Sequence, residues 1–212
     1  MRRWWLLGGL GLVLFAVALS VWAYPALPQR VPTSWSLSGE AAGYSSRLGA
    51  VAVFPVLAAF IWVLMIVLPA FSPRGFRLDV SLTPFYETCL AAIAVFVAIQ
   101  GVILRAQIAG TVPSISLIFA FIGVLLTVIG ILVGRVSKNF FMGYRTPWTL
   151  MSDQVWLRTN VLGGRLMVVG GLLLIVCSPF TNVIVAALIA VMAVVVVVPI
   201  AFSYVLYRRL EG

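Results

Sequence analysis

The chain has 212 residues, of which 63% are hydrophobic and only 9% are charged, and its mean hydropathy is +1.18. A soluble domain carries about a quarter charged residues, so the composition excludes an ordinary soluble protein and predicts an all-α integral membrane protein. The net charge of +9 does not indicate a nucleic-acid partner, because the basic residues are distributed among short loops rather than clustered on one soluble face.

Six apolar segments follow one another along the chain, and each approaches the roughly 20 residues that cross a bilayer. They predict one bundle of six transmembrane helices, at residues 4–23, 50–71, 84–104, 114–134, 161–177 and 183–204. The first segment is interpreted as a retained helix, because its apolar run exceeds the roughly 7–15 residues of a cleavable signal peptide. The fifth segment is predicted to be the shortest.

The distribution of Lys and Arg predicts the orientation of this bundle. If the N-terminus is inside, Arg30, Arg47 and Arg105 face outward and the other eleven of the 14 basic residues face the cytoplasm. The positive-inside rule therefore predicts that both termini are cytoplasmic. The inward set comprises Arg2, Arg3, Arg74, Arg77, Arg135, Lys138, Arg145, Arg158, Arg165, Arg208 and Arg209.

The predicted outer loop, residues 24–48, is longer than a plain connector. Prolines restrict its backbone, Trp35-Ser36-Leu37 alternates as a short strand does, and Ser38-Gly39 and Gly43 offer turns. We expect a structured loop that either contacts an external ligand or caps the helices. Its candidate residues are Pro25, Pro32, Trp35, Gly39 and Gly43.

Two features inside the spans carry predictions of their own. Glu87 is the one acidic residue within a predicted span, and an intramembrane carboxylate is either functional or paired. We predict an ion pair between Glu87 and Arg145 or Arg165. The fourth span places Gly123, Thr127, Gly130 and Gly134 on one face. Such a small-residue face serves a homo-oligomer or a contact within the bundle, and we favour the contact within the bundle.

Reactive side chains are scarce in this sequence. It has no histidine, and its two cysteines, Cys89 and Cys177, each lie in an apolar run. These features disfavour a zinc site, a disulfide framework and the usual catalytic triads. We therefore predict no catalytic residue, no metal and no cofactor.

The predicted inner segment, residues 134–165, combines five basic residues with interleaved aromatic residues. This composition is typical of an amphipathic loop at an anionic lipid surface. Pro147 disfavours the α region at Thr146, so a turn is expected there. A short helix is predicted to follow, with Ser152 as its N-cap and Asp153 in its first turn.

The inner segment also carries a specific motif. Asn139, Gly143 and the run Arg145-Thr146-Pro147-Trp148-Thr149 precede Ser152, Trp156, Thr159 and Gly163, and this pattern resembles the SdpI (Sdp immunity) membrane protein family. The outer loop resembles the small domain of unknown function that often precedes it. We predict three units, at residues 1–83, 84–134 and 135–212, of which the resemblance covers parts of the first and the third and hydropathy alone defines the second. The candidate partner-binding residues of the motif are Asn139, Gly143, Arg145, Thr146, Pro147, Trp148, Thr149 and Trp156.

The resemblance implies immunity to a secreted killing factor in a bacterial inner membrane. The expected partners are membrane lipids, a toxin peptide outside and a cytoplasmic regulator inside. A small transporter or channel for a lipid or amphipathic substrate is the alternative, although the spans offer few polar residues for a midplane route. A lipid-modifying enzyme is the least favoured class, because it would require a cluster of reactive side chains.

Overall fold

The computed structural model describes residues 2–36, 40–71 and 81–210. Within these ranges, six helices are long and apolar enough to cross a membrane, which confirms the predicted fold class. In chain order the helices are α1 (Arg2–Ala23), α2 (Arg47–Val67), α3 (Leu82–Ala109), α4 (Ile115–Val133), the short α5 (Pro147–Met151), α6 (Asp153–Cys177) and α7 (Ile184–Leu210). Two strands, β1 (Arg30–Trp35) and β2 (Ala41–Ser46), lie between α1 and α2.

The boundaries of the fifth span differ from the prediction. α6 has 25 residues, and the shortest spanning helix is α4 with 19. Residues 153–165, predicted as a loop with a separate short helix, form the first half of α6. Ser152 precedes α6 as its N-cap residue, but its side chain makes no capping hydrogen bond. Hydropathy located the start too late because Asn160, which is polar, is buried and hydrogen-bonded inside the fold.

The helices pack around α3, which contacts α1, α2 and α4, while α6 lies between α4 and α7. Two ends of the bundle can be distinguished. Gln107, near the end of α3, donates a hydrogen bond to Pro32 of β1, and Ser81, just before α3, bonds to Ser137 beyond α4. We call the end near Gln107 the hairpin end and the end near Ser81 the motif end.

The small-residue face of α4 packs against α6 within the same chain. A Cβ on Gly130 would lie 2.6 Å from the Gly164 carbonyl oxygen, and one on Gly123 would lie 2.6 Å from that of Gly171. Since real Cβ atoms do not approach so closely, the helices can reach this separation only with glycine at these positions. The face predicted from the sequence therefore serves contact within the bundle.

α6 carries two glycine pairs, and the members of each pair face different neighbours. Gly164 and Gly171 face α4, whereas a Cβ on Gly163 would collide with the Tyr144 ring and one on Gly170 would meet Val191 of α7 at 2.5 Å. α6 is thus approached closely on both sides.

The outer loop forms an antiparallel hairpin in which Val31 pairs with Ser45 and Trp35 with Ala41. The sequence predicted a short strand that starts at Trp35, but β1 ends at that residue. The buried apolar residue of β1 is Val31, which lies before the predicted strand. Val31 and Leu27 pack with Val51 and Leu104 into an apolar cluster beneath the hairpin. The turn predicted at Ser38-Gly39 lies outside the described residues.

The remaining predicted residues of the outer loop surround this cluster. Pro25 lies in a short 3-10 turn after α1, and Pro32 lies in β1. Trp35 is half-buried, and Gly43 faces the Ser34 side chain. Gly39 is outside the described residues.

The predicted ion pair of Glu87 is wrong. Among the described residues, Glu87 makes no ion pair with Arg145 or Arg165. The ion pair found at the motif end of the bundle instead joins Lys138 and Asp153. Arg165 is exposed in the middle of α6. The Arg145 guanidinium donates a hydrogen bond to the Phe140 carbonyl oxygen. Cys89 and Cys177 are both free.

Candidate functional site

Side-chain hydrogen bonds are concentrated at the motif end in the described part of the chain. This end consists of the motif segment, residues 135–152, together with the first three turns of α6 and the facing side of α7. The motif predicted from the sequence lies here, and most of its side chains point inward.

Asn139 organises the beginning of the motif segment. Its Oδ1 accepts hydrogen bonds from the backbone N–H groups of Phe141 and Met142 at 2.8 and 2.7 Å. Its Nδ2 donates to the carbonyl oxygens of Ser137 and Met142 at 2.8 and 3.3 Å. The residue is fully buried. Its side chain therefore supplies hydrogen-bond partners to backbone groups of the turn that water cannot reach.

Gly143 brings the segment against α6. Its φ is +100°, which L side chains rarely adopt, and a Cβ would collide with Asn160 Oδ1 and approach the Trp156 ring. Asn160 Oδ1 accepts from the Tyr144 backbone N–H at 2.7 Å, and its Nδ2 donates to the Trp156 carbonyl oxygen at 2.9 Å. Glycine is therefore required here both for backbone conformation and for space.

Aromatic donors connect the segment to more distant elements. Tyr144 donates its phenolic hydrogen to the Val195 carbonyl oxygen of α7 at 2.8 Å, and Trp156 Nε1 donates to the Val136 carbonyl oxygen at 2.9 Å. Burial raises the pKa of Tyr144 to about 12, so the phenol stays protonated and keeps donating near neutral pH.

The threonines around Pro147 form a capping box that starts α5. The Thr149 N–H donates to Thr146 Oγ1, and the Thr146 N–H donates to Thr149 Oγ1 at 2.9 Å. Thr146 is extended, as predicted for a residue before proline. The Thr146 hydroxyl lies 3.1 Å from that of Ser203 in α7, and the Trp148 ring centre lies 5.0 Å from that of Tyr204.

The partner-binding candidates therefore divide into two groups. Six have hydrogen-bonding or packing roles within the fold: Asn139, Gly143, Thr146, Trp148, Thr149 and Trp156. Arg145 and Pro147 are exposed, and the Arg145 guanidinium lies 5.9 Å from the centre of the exposed Phe140 ring. A partner would meet Arg145, Pro147 and Phe140 first, and partner binding by the eight candidates stays a prediction.

Sequence reasoning missed the central position of Asn160. An asparagine four residues after Trp156 in a helix lies on the same face, and an amide in an otherwise apolar run is a signal for a buried bond. In the described ranges, no group of three or more His, Cys, Asp and Glu side chains could hold a metal ion.

Comparisons with known proteins agree with the motif. Residues 135–203 match the SdpI/YfhL protein family, and residues 11–59 match a domain of unknown function, DUF1648. The chain is 26% identical to the Immunity protein SdpI of Bacillus subtilis (strain 168) over 203 residues, which cover 95% of each chain. No solved structure matches. The family resemblance that the motif and the outer loop predicted is thus confirmed.

Proposed function

We propose that this SdpI-like protein of the cytoplasmic membrane protects a bacterium against a secreted killing factor. The similarity to an immunity protein over 95% of both chains carries the proposal, because so complete an alignment includes the hairpin end, the motif end and the helices between them. We further propose a non-enzymatic mode of action, with both termini in the cytoplasm as the positive-inside rule favours.

In this proposal the hairpin end meets the killing factor. The hairpin rests on the buried Val31 and Leu27, while its β2 strand presents the exposed Tyr44 and its β1 strand ends at the half-buried Trp35. Aromatic side chains on a firm base supply contact area at low entropic cost, which suits recognition of a peptide.

The motif end would then face the cytoplasm and hold a regulator at the membrane. Exposed arginines of the motif segment surround the buried network, namely Arg135 and Arg145. These charges favour an acidic protein surface as partner, with anionic lipid headgroups as a competing contact. The buried network supports this role by holding Arg145 and its neighbours in a fixed arrangement.

A protection assay tests the proposal. The protein is expressed in a sensitive bacterium, which is then challenged with candidate secreted killing factors. We expect the wild type to restore growth and Trp35→Ala to lose protection with unchanged abundance in the membrane. Trp22→Ala is the matched control, since Trp22 is an exposed tryptophan of α1 outside the hairpin. Equal protection by all three proteins would contradict recognition at the hairpin end.

A second comparison separates the two ends. Arg145→Gln should leave protection unchanged and abolish recruitment of a cytoplasmic regulator to membranes, measured by co-sedimentation. Arg158→Gln removes the same charge from an exposed residue outside the motif run. If both variants retain recruitment, or if both lose it equally, Arg145 has no specific role in partner binding.

The transporter alternative is supported by one observation. The amide oxygens of Gln100 and Gln107, both on α3, are buried without a hydrogen-bond partner. Gln100 Nε2 donates to Ser20 and to the Ala16 carbonyl oxygen, so a buried polar contact joins α1 and α3. Substrate flux into proteoliposomes that Gln100→Leu abolishes would favour transport over immunity.

A further inference from the structure

The seam between α3 and α4 opens into a cleft at the hairpin end. A cavity of about 620 Å³ lies between the last three turns of α3 and the start of α4. Its polar lining residues are Arg105, Thr111 and Ser114, and its deeper wall includes Ala98 and Gly101. A volume of this size lies within the range of small-molecule sites.

Arg105 is a cation at this cleft. It makes no ion pair or hydrogen bond within the described residues, and the one acidic residue described at the hairpin end, Glu40, lies in the hairpin. Any anion that neutralises Arg105 therefore comes from outside the described part of the chain. Thr111 and Ser114 can assist, because Ser114 Oγ accepts from the Leu117 N–H and its own hydrogen remains available for donation.

The depth of Arg105 matches the lipid headgroup boundary. α3 has 28 residues and is therefore about 42 Å long at 1.5 Å per residue, whereas the hydrocarbon core is about 30 Å thick. If α3 is centred in the bilayer, the backbone of Arg105 lies about 14 Å from the midplane, at the edge of the hydrocarbon core, and its long side chain can extend to the phosphates. The wall below it, at Ala98 and Gly101, lies within the hydrocarbon.

The cleft is thus polar at the boundary and apolar beneath it. A Cβ on Gly101 would meet no atom within 4 Å, so the missing side chain leaves open space. A second cavity, of about 400 Å³, lies on the α1 side of α3 and shares Gly101, Arg105 and Ala109 with the first. A cation with space on both sides at this depth is complementary to an anionic headgroup with an acyl tail.

We propose that this cleft is a binding site for an anionic phospholipid of the leaflet at the hairpin end. Arg105 binds the phosphate, the hydroxyls of Thr111 and Ser114 donate to its oxygens, and an acyl chain lies over Gly101 toward Ala98. The lipid fills the seam between α3 and α4. This site is independent of the proposed immunity function.

Native mass spectrometry of the full chain tests the site. The protein is purified in mild detergent with equal amounts of phosphatidylglycerol and phosphatidylethanolamine that carry the same acyl chains. We expect preferential retention of phosphatidylglycerol, lowered about tenfold by Arg105→Gln, as expected for loss of a charge-assisted hydrogen bond. Arg105→Lys should recover much of the retention, because it restores the charge.

Two further variants separate headgroup from tail. Arg30→Gln removes an exposed arginine from the same end outside the cleft and should leave retention unchanged. Gly101→Leu fills the open space and should lower retention of phosphatidylglycerol while the melting temperature stays near that of the wild type. Soluble glycerol phosphate, which has the headgroup chemistry without a tail, should fail to displace the lipid.

Several outcomes would overturn the proposal. Equal losses with Arg105→Gln and Arg30→Gln would indicate a general charge effect, and equal retention of the two lipids would remove the role of the anion. Unchanged retention in Gly101→Leu, or displacement by glycerol phosphate, would show that no acyl chain occupies the cleft. Displacement of the lipid by an acidic amphipathic peptide that binds more tightly would assign the cleft to a peptide.

Discussion

The bundle is closed at each end by a segment that is not a spanning helix, and the two segments are held by different forces. At the hairpin end, Val31 and Leu27 insert into an apolar cluster, and Gln107 adds a hydrogen bond to Pro32. At the motif end, side-chain amides, hydroxyls and indoles replace the missing backbone bonds one by one. Apolar burial tolerates exchange of similar side chains, whereas a hydrogen-bond network does not.

This difference explains why fewer residue types are expected to be tolerated at the motif end. Asn139, Gly143 and Thr149 each meet a geometric requirement that few other residues satisfy. The hairpin requires only an apolar residue at Val31 and a backbone that can turn. We therefore expect the hairpin surface to vary with the ligand while the motif end keeps its residues.

The largest effect is expected where α4 packs against α6. Gly130→Leu places a side chain where even a Cβ lies 2.6 Å from the Gly164 carbonyl oxygen. We expect loss of folded protein from the membrane, equivalent to more than about 4 kcal/mol. Gly11→Leu is the matched control, because a Cβ there meets nothing within 4 Å. Comparable membrane abundance of both variants would show that α4 and α6 can separate without cost.

The second effect tests the hydrogen-bond network directly. Asn139→Ala removes four hydrogen bonds from a fully buried residue and leaves two backbone N–H groups without their acceptor. We expect a loss of about 3 kcal/mol in the free energy of unfolding, measured by denaturant titration in detergent. Asn182→Ala changes the same residue type at an exposed turn. A loss no larger than that of this control would mean that the network contributes little.

The smallest effect is expected at the hairpin end. Gln107→Leu removes the hydrogen bond to Pro32 but also removes an amide oxygen that is buried without a partner. These effects oppose each other, so we expect a net change within about 1 kcal/mol. A thermal melt in detergent measures it. A destabilisation as large as that of Asn139→Ala would contradict the view that apolar burial holds the hairpin.

The sequence predicted the features that hydropathy and local sterics determine. Span number followed from apolar length, the extended Thr146 followed from Pro147, and the contact face of α4 followed from the spacing of Gly123 and Gly130. The ion pair of Glu87 failed because it joined residues that are distant in sequence. Charge alone does not reveal that the Arg145 guanidinium is bound by its own segment.

The start of α6 failed for a related reason. Hydropathy treats Thr159 and Asn160 as polar and starts the span after them, at residue 161, yet both are buried. Their burial depends on Gly143 and Tyr144, whose approach is a property of the folded chain. In the hairpin, the alternation at Trp35 located a strand but not its register, because Val31 is fixed by the distant Leu104 of α3.

The glycine pairs of α6 have a mechanical consequence. Because Gly164 and Gly171 touch α4 while Gly163 and Gly170 touch Tyr144 and α7, α6 has no slack toward either neighbour. A displacement of α7 is therefore expected to shift α6 and, through the backbone contacts of Gly164 and Gly171, α4, because a closely packed interior transmits strain. An event in the membrane beside α7 would in this way move the wall of the α3–α4 seam.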